Sequence, residues 1–516
     1  MAISSPDPRC LPKALHKFTK AMPSSVRRRS PHQGSCLAAL LALAALASAG
    51  RLGGAAAAAA ATMGGSEREW DVVSVTSLLP SETCTAPPAA SNSSTLRVVH
   101  RHGPCSALRA RGDRSPSHAQ ILARDSERVD AIHRKAGGRA KPTKLGGANV
   151  TLQARWGKPL GTSNYYITVG LGTPARDLAV EIDTGSDQSW VQCEPCDDCY
   201  AQHDPLFDPA KSSTYAAVTC GAQECRQFGT QQNCTSSEDD DRCPYALTYG
   251  DNSRSTGNLA RDTLALAPGT TLPGFMFGCG HKDAGIFGEV DGLFGLSRGM
   301  ASLSSQLAAA KLGAPGFSYC LPSSSSAVGY LNLSFGGAAD AVAAPANAQF
   351  TAMLTGQLDA SLYYLNLTGM TVAGRAVKAP PAAFAAAGGT IIDSGTAFSR
   401  LPPRAYAALR SAFRRAMRRY GYRRAPAPAP FDTCYDLAGH RTVRVPAVAL
   451  EFGDGAAVRL DPRGVLYAWD EAFQVACLAF APDPDLGVIG NVQQRTLAVV
   501  YDVGGGKIGF GAKGCA

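Results

Sequence analysis

From Tyr165 onward, apolar positions come in short runs broken by Gly, Pro, Asp and Ser. That punctuation predicts strands joined by turns, and hence an all-β architecture, mainly strands with a few short helices. Tyr165-Tyr-Ile-Thr-Val-Gly-Leu-Gly-Thr-Pro174 is a representative strand and turn. Helical spacing stands out in two places. Ile121, Leu122, Val129 and Ile132 recur at that spacing among alternating charges, and Tyr406, Leu409, Phe413, Met417 and Tyr420 share one face of a helix predicted over Pro403–Tyr420. Arg410, Arg414, Arg415, Arg418 and Arg419 fall largely off that face, and the Ala-Pro run that follows stops any helix. A surface helix with a solvated basic face is the plain reading; a docking site for an anion or acidic partner is the other.

Within the β pattern, one stretch occurs twice. Ala179-Val-Glu-Ile-Asp-Thr-Gly-Ser186 and Gly389-Thr-Ile-Ile-Asp-Ser-Gly-Thr396 each run from apolar positions into Asp, a hydroxyl residue, Gly and a second hydroxyl. A strand ending this way places a carboxylate on a tight loop ringed by donors, and the Gly lets backbone approach it closely. The two Asp residues are 210 positions apart. About one hundred residues past each lies an apolar-apolar-Gly segment, Gly292-Leu-Phe-Gly-Leu296 and Gly487-Val-Ile-Gly-Asn491, suited to pack beside the Asp loop. The repeat predicts two homologous lobes, each giving one carboxylate to a shared site.

These residues resemble a pepsin-fold aspartic endopeptidase, and more narrowly the nepenthesin-like plant branch. The narrower match is carried by Asp183-Thr-Gly-Ser-Asp-Gln-Ser-Trp-Val-Gln-Cys193, Phe277-Gly-Cys-Gly280, Phe317-Ser-Tyr-Cys-Leu321, Phe431-Asp-Thr-Cys-Tyr435 and Ile489-Gly-Asn-Val-Gln-Gln494. The resemblance covers roughly residues 95–516. It implies a bilobal acid-protease fold with an N-terminal lobe over 151–345, including a flap and a Cys-rich insertion, and a C-terminal lobe over 346–516. Asp183 and Asp393 would be the catalytic pair, with Thr184, Gly185, Ser186, Ser394, Gly395 and Thr396 supporting them. Tyr249, Gly250 and Asp251 would belong to a substrate-binding flap hairpin, with Trp190 holding the Tyr249 hydroxyl. The flap has Asn252 where relatives commonly have Gly, and Gln188 replaces a usual apolar residue. No cofactor or metal is implied. The resemblance also suggests Cys434–Cys477 and Cys320–Cys515 disulfides. Eight further cysteines crowd between Cys193 and Cys279, where a zinc reading of Cys193, Cys196 and Cys199 lacks a His pair or second Cys pair at metal spacing. A member with a lost Asp or degraded flap would be an inactive inhibitor or binding protein; here both loops and Tyr249 are present.

The start of the chain has a different character. Residues 1–35 are basic and nearly free of acid, and a short apolar run, Cys36–Leu46, precedes Ala-Ser-Ala. This predicts a signal peptide over 1–49, with a plastid transit peptide as the alternative. The run is too short to span a membrane, so no membrane anchor is expected. Residues 50–150 resemble a propeptide, a basic partner suited to cover an acidic cleft until its carboxylates protonate. Residues 1–150 carry 21 Lys+Arg against 9 Asp+Glu, whereas the remainder carries 29 against 32. The formal +9 of the whole chain therefore argues neither for nucleic-acid binding by the remainder nor for a plastid nucleoid-type DNA-binding protease. Dense cysteines and Asn-x-Ser/Thr triplets at Asn149, Asn233, Asn332 and Asn366 predict a disulfide-bonded, glycosylated monomer in the secretory pathway, extracellular (apoplast) or vacuolar, with chloroplast as the alternative. Its expected substrate is protein or peptide, hydrolysed at acidic pH.

Overall fold

The punctuated apolar runs fold as strands, and the two Asp loops sit on matching scaffolds. In the first, strand Arg176–Asp183 pairs antiparallel with Tyr165–Leu171 and parallel with Gly292–Gly295, which sets Gly295 opposite Asp183. In the second, Thr390–Ile392 pairs antiparallel with Tyr364–Leu365 and parallel with Gly487–Ile489. Each apolar-apolar-Gly segment also contacts the strand just beyond its Asp loop, Trp190–Gln192 in one case and Ser399–Leu401 in the other. The sequence repeat is thus a repeat of strand order and register. These facts come from a computed structural model that describes residues 69–78, 83–85, 95–108, 118–135, 165–230, 234, 241–249, 253–267, 269–285, 287–312, 316–323, 326–333, 344–355, 357, 359–468 and 474–515, all within one compact unit, Gly64–Ala516. The expected leader (1–49), Gly250, Asp251, Asn149 and Asn233 lie outside the described residues.

A six-stranded antiparallel sheet joins the lobes. Its order is Thr95–His100, Val328–Leu333, Gly316–Cys320, Ala498–Asp502, Lys507–Gly511 and Gln349–Leu354. The first strand comes from the segment expected to be a propeptide. Phe317, Tyr319, Tyr363 and Tyr501 fill the space beside this sheet, with Phe317 and Tyr501 stacked 4.4 Å apart. Burying such aromatics supplies much of the driving force for joining the halves. A second upstream strand, Trp70–Ser74, pairs with Thr442–Pro446, and Trp70 meets Tyr420 edge-on at 4.7 Å.

Both predicted helices form. His118–Lys135 buries Ile121 and Leu122 against Phe398, Phe431 and Tyr467, and Ile132 against Leu362, Ile391 and Val488. Each buried aliphatic is worth about 1.5–3 kcal/mol. The second α-helix runs Pro403–Met417 and tightens into a 3-10 turn over Arg418–Tyr420, which Gly421 ends at φ +72°. Its Tyr406, Leu409, Phe413 and Met417 are buried, whereas Tyr420 is only half-buried. The tightened turn rotates that last position off the apolar stripe.

Seven disulfides join described cysteines: Cys434–Cys477, Cys320–Cys515, Cys193–Cys279, Cys196–Cys199, Cys220–Cys234, Cys225–Cys243 and, upstream, Cys84–Cys105. Asn366 is exposed, while Asn332 is half-buried within the inter-lobe sheet, between Ser318 and Thr95. A glycan would fit the former far better. Among the described residues, no helix is long and apolar enough to cross a membrane.

Candidate active site

The two strands deliver Asp183 and Asp393 to one point, where both carboxylates are fully buried. Ser186 Oγ donates to Asp183 Oδ2, and Thr396 Oγ1 donates to Asp393 Oδ2. Backbone N–H groups complete each ring, Gly185 to Asp183 Oδ1 at 2.9 Å and Gly395 to Asp393 Oδ1 at 3.1 Å. Behind them the loops are cross-tied: Thr184 N–H donates to Ser394 Oγ at 3.1 Å, and Ser394 N–H to Thr184 Oγ1 at 2.8 Å. The glycines are required by the close approach across the junction. A Cβ at Gly185 would lie 2.8 Å from Asp393 Oδ1, and one at Gly395 2.5 Å from Asp183 Oδ1.

Above the pair, the hairpin Pro244–Thr248 with Arg254–Ala267 carries Tyr249 at its described end. Trp190 Nε1 donates to Tyr249 Oη at 2.7 Å, and both rings pack edge-on against Phe287. Burial holds the Tyr249 phenol far above its ordinary range, so it stays protonated and able to donate. A cleft cavity of about 520 Å³ runs under this hairpin past Gln188, Leu247, Tyr249 and Met300. Gln188 is buried, and its Nε2 meets no hydrogen-bond partner among the described residues.

Sequence reasoning missed the group that occupies the centre of the site. Arg128, from helix His118–Lys135, places Nη2 2.6 Å from Asp183 Oδ1 and 3.1 Å from Asp393 Oδ1, with Nε 3.0 Å from Asp393 Oδ2. One guanidinium thus bonds both carboxylates, in the forked geometry that suits Arg over Lys. Three other side chains of the helix hold it in place. Asp125 accepts from Ala397 N–H, Phe398 N–H and Arg400 Nη2 (2.5 Å), His133 Nε2 lies 3.0 Å from Asp483, and Lys135 lies 3.6 Å from both Asp187 and Asp359. A signal was present in the sequence: Asp125 and Arg128 fall on the apolar face set by Ile121 and Ile132, where unpaired charges are costly.

Charges in the site are uneven. Burial and the neighbouring Asp393 raise the Asp183 carboxyl, against the lowering effect of Arg128, Ser186 and Gly185. Burial also works to raise Asp393, but the charge and hydrogen bonds of Arg128, with Thr396 and Gly395, outweigh it and hold the carboxyl below its ordinary range. Arg128 itself is raised: burial opposes its charge, and the two carboxylates more than offset this. Burial raises Asp125, whereas His133 is raised by Asp483 despite burial. Two buried carboxylates on one small locus cannot both ionise freely, so together they can hold a proton and a water at adjacent oxygens.

Two family models match the chain, the xylanase inhibitor N-terminal domain over residues 165–337 and its C-terminal counterpart over 362–512. An aspartyl protease family protein of Arabidopsis thaliana is 41% identical over 465 residues, covering 88% of this chain and 95% of that protein. Aspartic proteinase nepenthesin-2 of Nepenthes gracilis is 34% identical, covering 66% and 76%. The crystal structure of basic 7S globulin from soybean superposes with a TM-score of 0.53 at 22% identity, covering 68% of this chain and 93% of that one, a likeness of fold alone.

Proposed function

Because the chain belongs to the pepsin-fold plant aspartyl protease family, which includes nepenthesin-like members, we propose that it is an aspartic endopeptidase made as a zymogen and active in acid. One observation carries this reading: two mirrored Asp loops present buried carboxylates that bond the same guanidinium nitrogen. With Arg128 gone, that position suits a water between Asp183 and Asp393. The ionised carboxylate takes a proton from the water as it attacks the scissile carbonyl, the protonated one donates to the carbonyl oxygen, and proton transfer to the amide nitrogen releases the amine. Ser186, Thr396 and the two glycine N–H groups hold the carboxylate orientations, and Tyr249 closes over substrate from the hairpin above.

Residues 50–150 act in this reading as the propeptide and 1–49 as the leader, the chain travelling the secretory pathway with Asn366 as its accessible glycan site. The test is hydrolysis of a denatured protein from pH 2.5 to 7.5 after removal of residues 1–150, with Asp183→Asn and pepstatin as controls. An acid optimum lost in the variant and suppressed by pepstatin is expected. Absence of activity at every pH in the processed protein would replace this reading with an inhibitor or binding role, the one for which the matching family models are named.

A further inference from the structure

Outside the cleft, the most concentrated charge is on helix Pro403–Met417 and the turn and strand after it. Residues 403–424 contain eight arginines, no lysine and no acid, although residues 151–516 as a whole carry more acid than base. Arg410, Arg414, Arg418 and Arg424, with Tyr422 and Tyr435, line a separate cavity of about 460 Å³. The first three lie four residues apart, one row spanning roughly 12 Å of helix, and strand Arg423–Ala425 brings Arg424 to the same cavity.

Several of these side chains are braced. Arg410 Nη1 bonds Asp432 Oδ2; Arg414 Nε bonds Thr433 Oγ1 at 2.9 Å, and its Nη2 bonds the Asp432 carbonyl at 2.8 Å. Arg424 Nε bonds the Cys434 carbonyl at 3.2 Å, its Nη2 bonds the Asp432 carbonyl at 2.7 Å, and its guanidinium lies over the Tyr435 ring. The Cys434–Cys477 disulfide ties down the end of the segment 432–434 that supplies these acceptors. Among the described residues, Asp432 is the only carboxylate in ion-pair contact with the four, so one negative charge faces four positive ones. Burial and the Arg424 and Arg410 charges even lower the proton affinity of Arg414.

We propose that this cavity is a binding site for a compact multivalent oxyanion, a group carrying several phosphates or carboxylates within reach of one row of guanidiniums. Braced arginines offer bidentate contacts at little entropic cost. The concave, localised site favours a compact ligand over a long polyanion, because outside 403–424 the remainder of 151–516 carries 21 Lys+Arg against 32 Asp+Glu. Phosphate esters and short uronic-acid oligosaccharides share the required chemistry.

Calorimetric titration of the full chain with tripolyphosphate, and separately with a trimeric oligogalacturonate, tests the site. Saturable one-to-one binding is expected for at least one probe, with sulfate at the same concentration failing to compete; the tighter probe identifies the source class. Arg418→Gln, an exposed side chain outside the bracing network, should weaken binding at least five-fold. Arg418→Gln with Arg424→Gln should weaken it more than thirty-fold, while Arg404→Gln changes it less than two-fold. No saturable binding, or equal effects of all three variants, would overturn the proposal. So would affinity that rises with the length of an oligonucleotide and falls steeply with salt, the mark of an extended polyanion surface.

Discussion

The two Asp loops share strand order, register and donor rings, yet they use the position seven residues beyond the Asp differently. In the first loop that residue is Trp190, which faces the hairpin and holds the Tyr249 hydroxyl. In the second it is Arg400, almost fully buried, which holds Asp125 of the upstream helix. One copy of the repeat therefore supports the hairpin over the cleft, and the other anchors the helix that fills it. Duplicated scaffolds diverge most usefully one step outside the chemistry, where side chains choose what each half grips while both loops keep the same shape.

The largest expected effect treats the two loops alike. Asp183→Asn and Asp393→Asn should each lower turnover of the processed protein by about 10⁴-fold, the upper range for removing a general acid or base. Their effects on the precursor should differ. Asp393 makes two bonds to Arg128 and is held ionised, so its replacement should loosen the helix more than replacement of Asp183, as read by protease sensitivity of residues 118–135 at neutral pH. Equal loosening would break the asymmetry.

Next comes the group both loops hold. Arg128→Gln leaves two buried carboxylates without their counter-ion and should cost the precursor about 3–5 kcal/mol, seen as a lower melting temperature at pH 7. The pH dependence of docking follows from linkage. Asp183 is raised overall and Asp393 is held low, so it is the Asp393 contribution to docking that is lost, as pH falls through its lowered docked value. Asp125 is raised in the docked state, which opposes this: its contribution to docking grows as pH falls towards its ordinary value. His133 is also raised, so its contribution is fully present below about pH 6.5 and is lost as pH rises through its higher docked value. Acid release should therefore set in only below about pH 4, the ordinary Asp value above which the Asp393 contribution is fully present, and His133 no longer changes there. Hydrogen exchange in the helix from pH 3 to 8 would check this, and protection that grows steadily down to pH 3 would contradict it.

Smaller effects separate the two position-seven residues. Trp190→Phe removes one hydrogen bond to Tyr249 and shrinks a fully buried side chain, so it should reduce kcat/KM roughly five-fold and lower precursor stability by at least about 1 kcal/mol. His133→Gln should weaken docking by about 1 kcal/mol at pH 6 and progressively less as pH rises through its raised docked value, measured as the melting-temperature difference between variant and wild type across that range.

Much of this arrangement was legible from residue order. The duplicated Asp-[Thr/Ser]-Gly-[Ser/Thr] loops and their apolar-apolar-Gly partners are local strings, so spacing alone revealed the repeat and its consequence for strand pairing. Helix His118–Lys135 was visible because Ile121, Leu122, Val129 and Ile132 keep helical period. The role of Arg128 was not, because a charge on an apolar face has meaning only once the facing surface is known, and Asp183 and Asp393 are distant in sequence. The pairing among the eight crowded cysteines was hidden for the same reason: many connectivities satisfy the spacing, and only the fold selects Cys193–Cys279 or Cys225–Cys243.

The upstream segment enters the body of the protein as two strands, Trp70–Ser74 and Thr95–His100, besides its helix, and Cys84–Cys105 closes a loop within that segment alone. A cut between 136 and 164 would consequently produce two chains held without a covalent bond. From that moment the segment is a ligand governed by mass action rather than a tether: its local concentration, fixed while the chain is whole, becomes that of the bulk. Dilution would then favour the open cleft and crowding the closed one, so the same nicked molecule could be silent where it is stored at high concentration and active where it is dispersed.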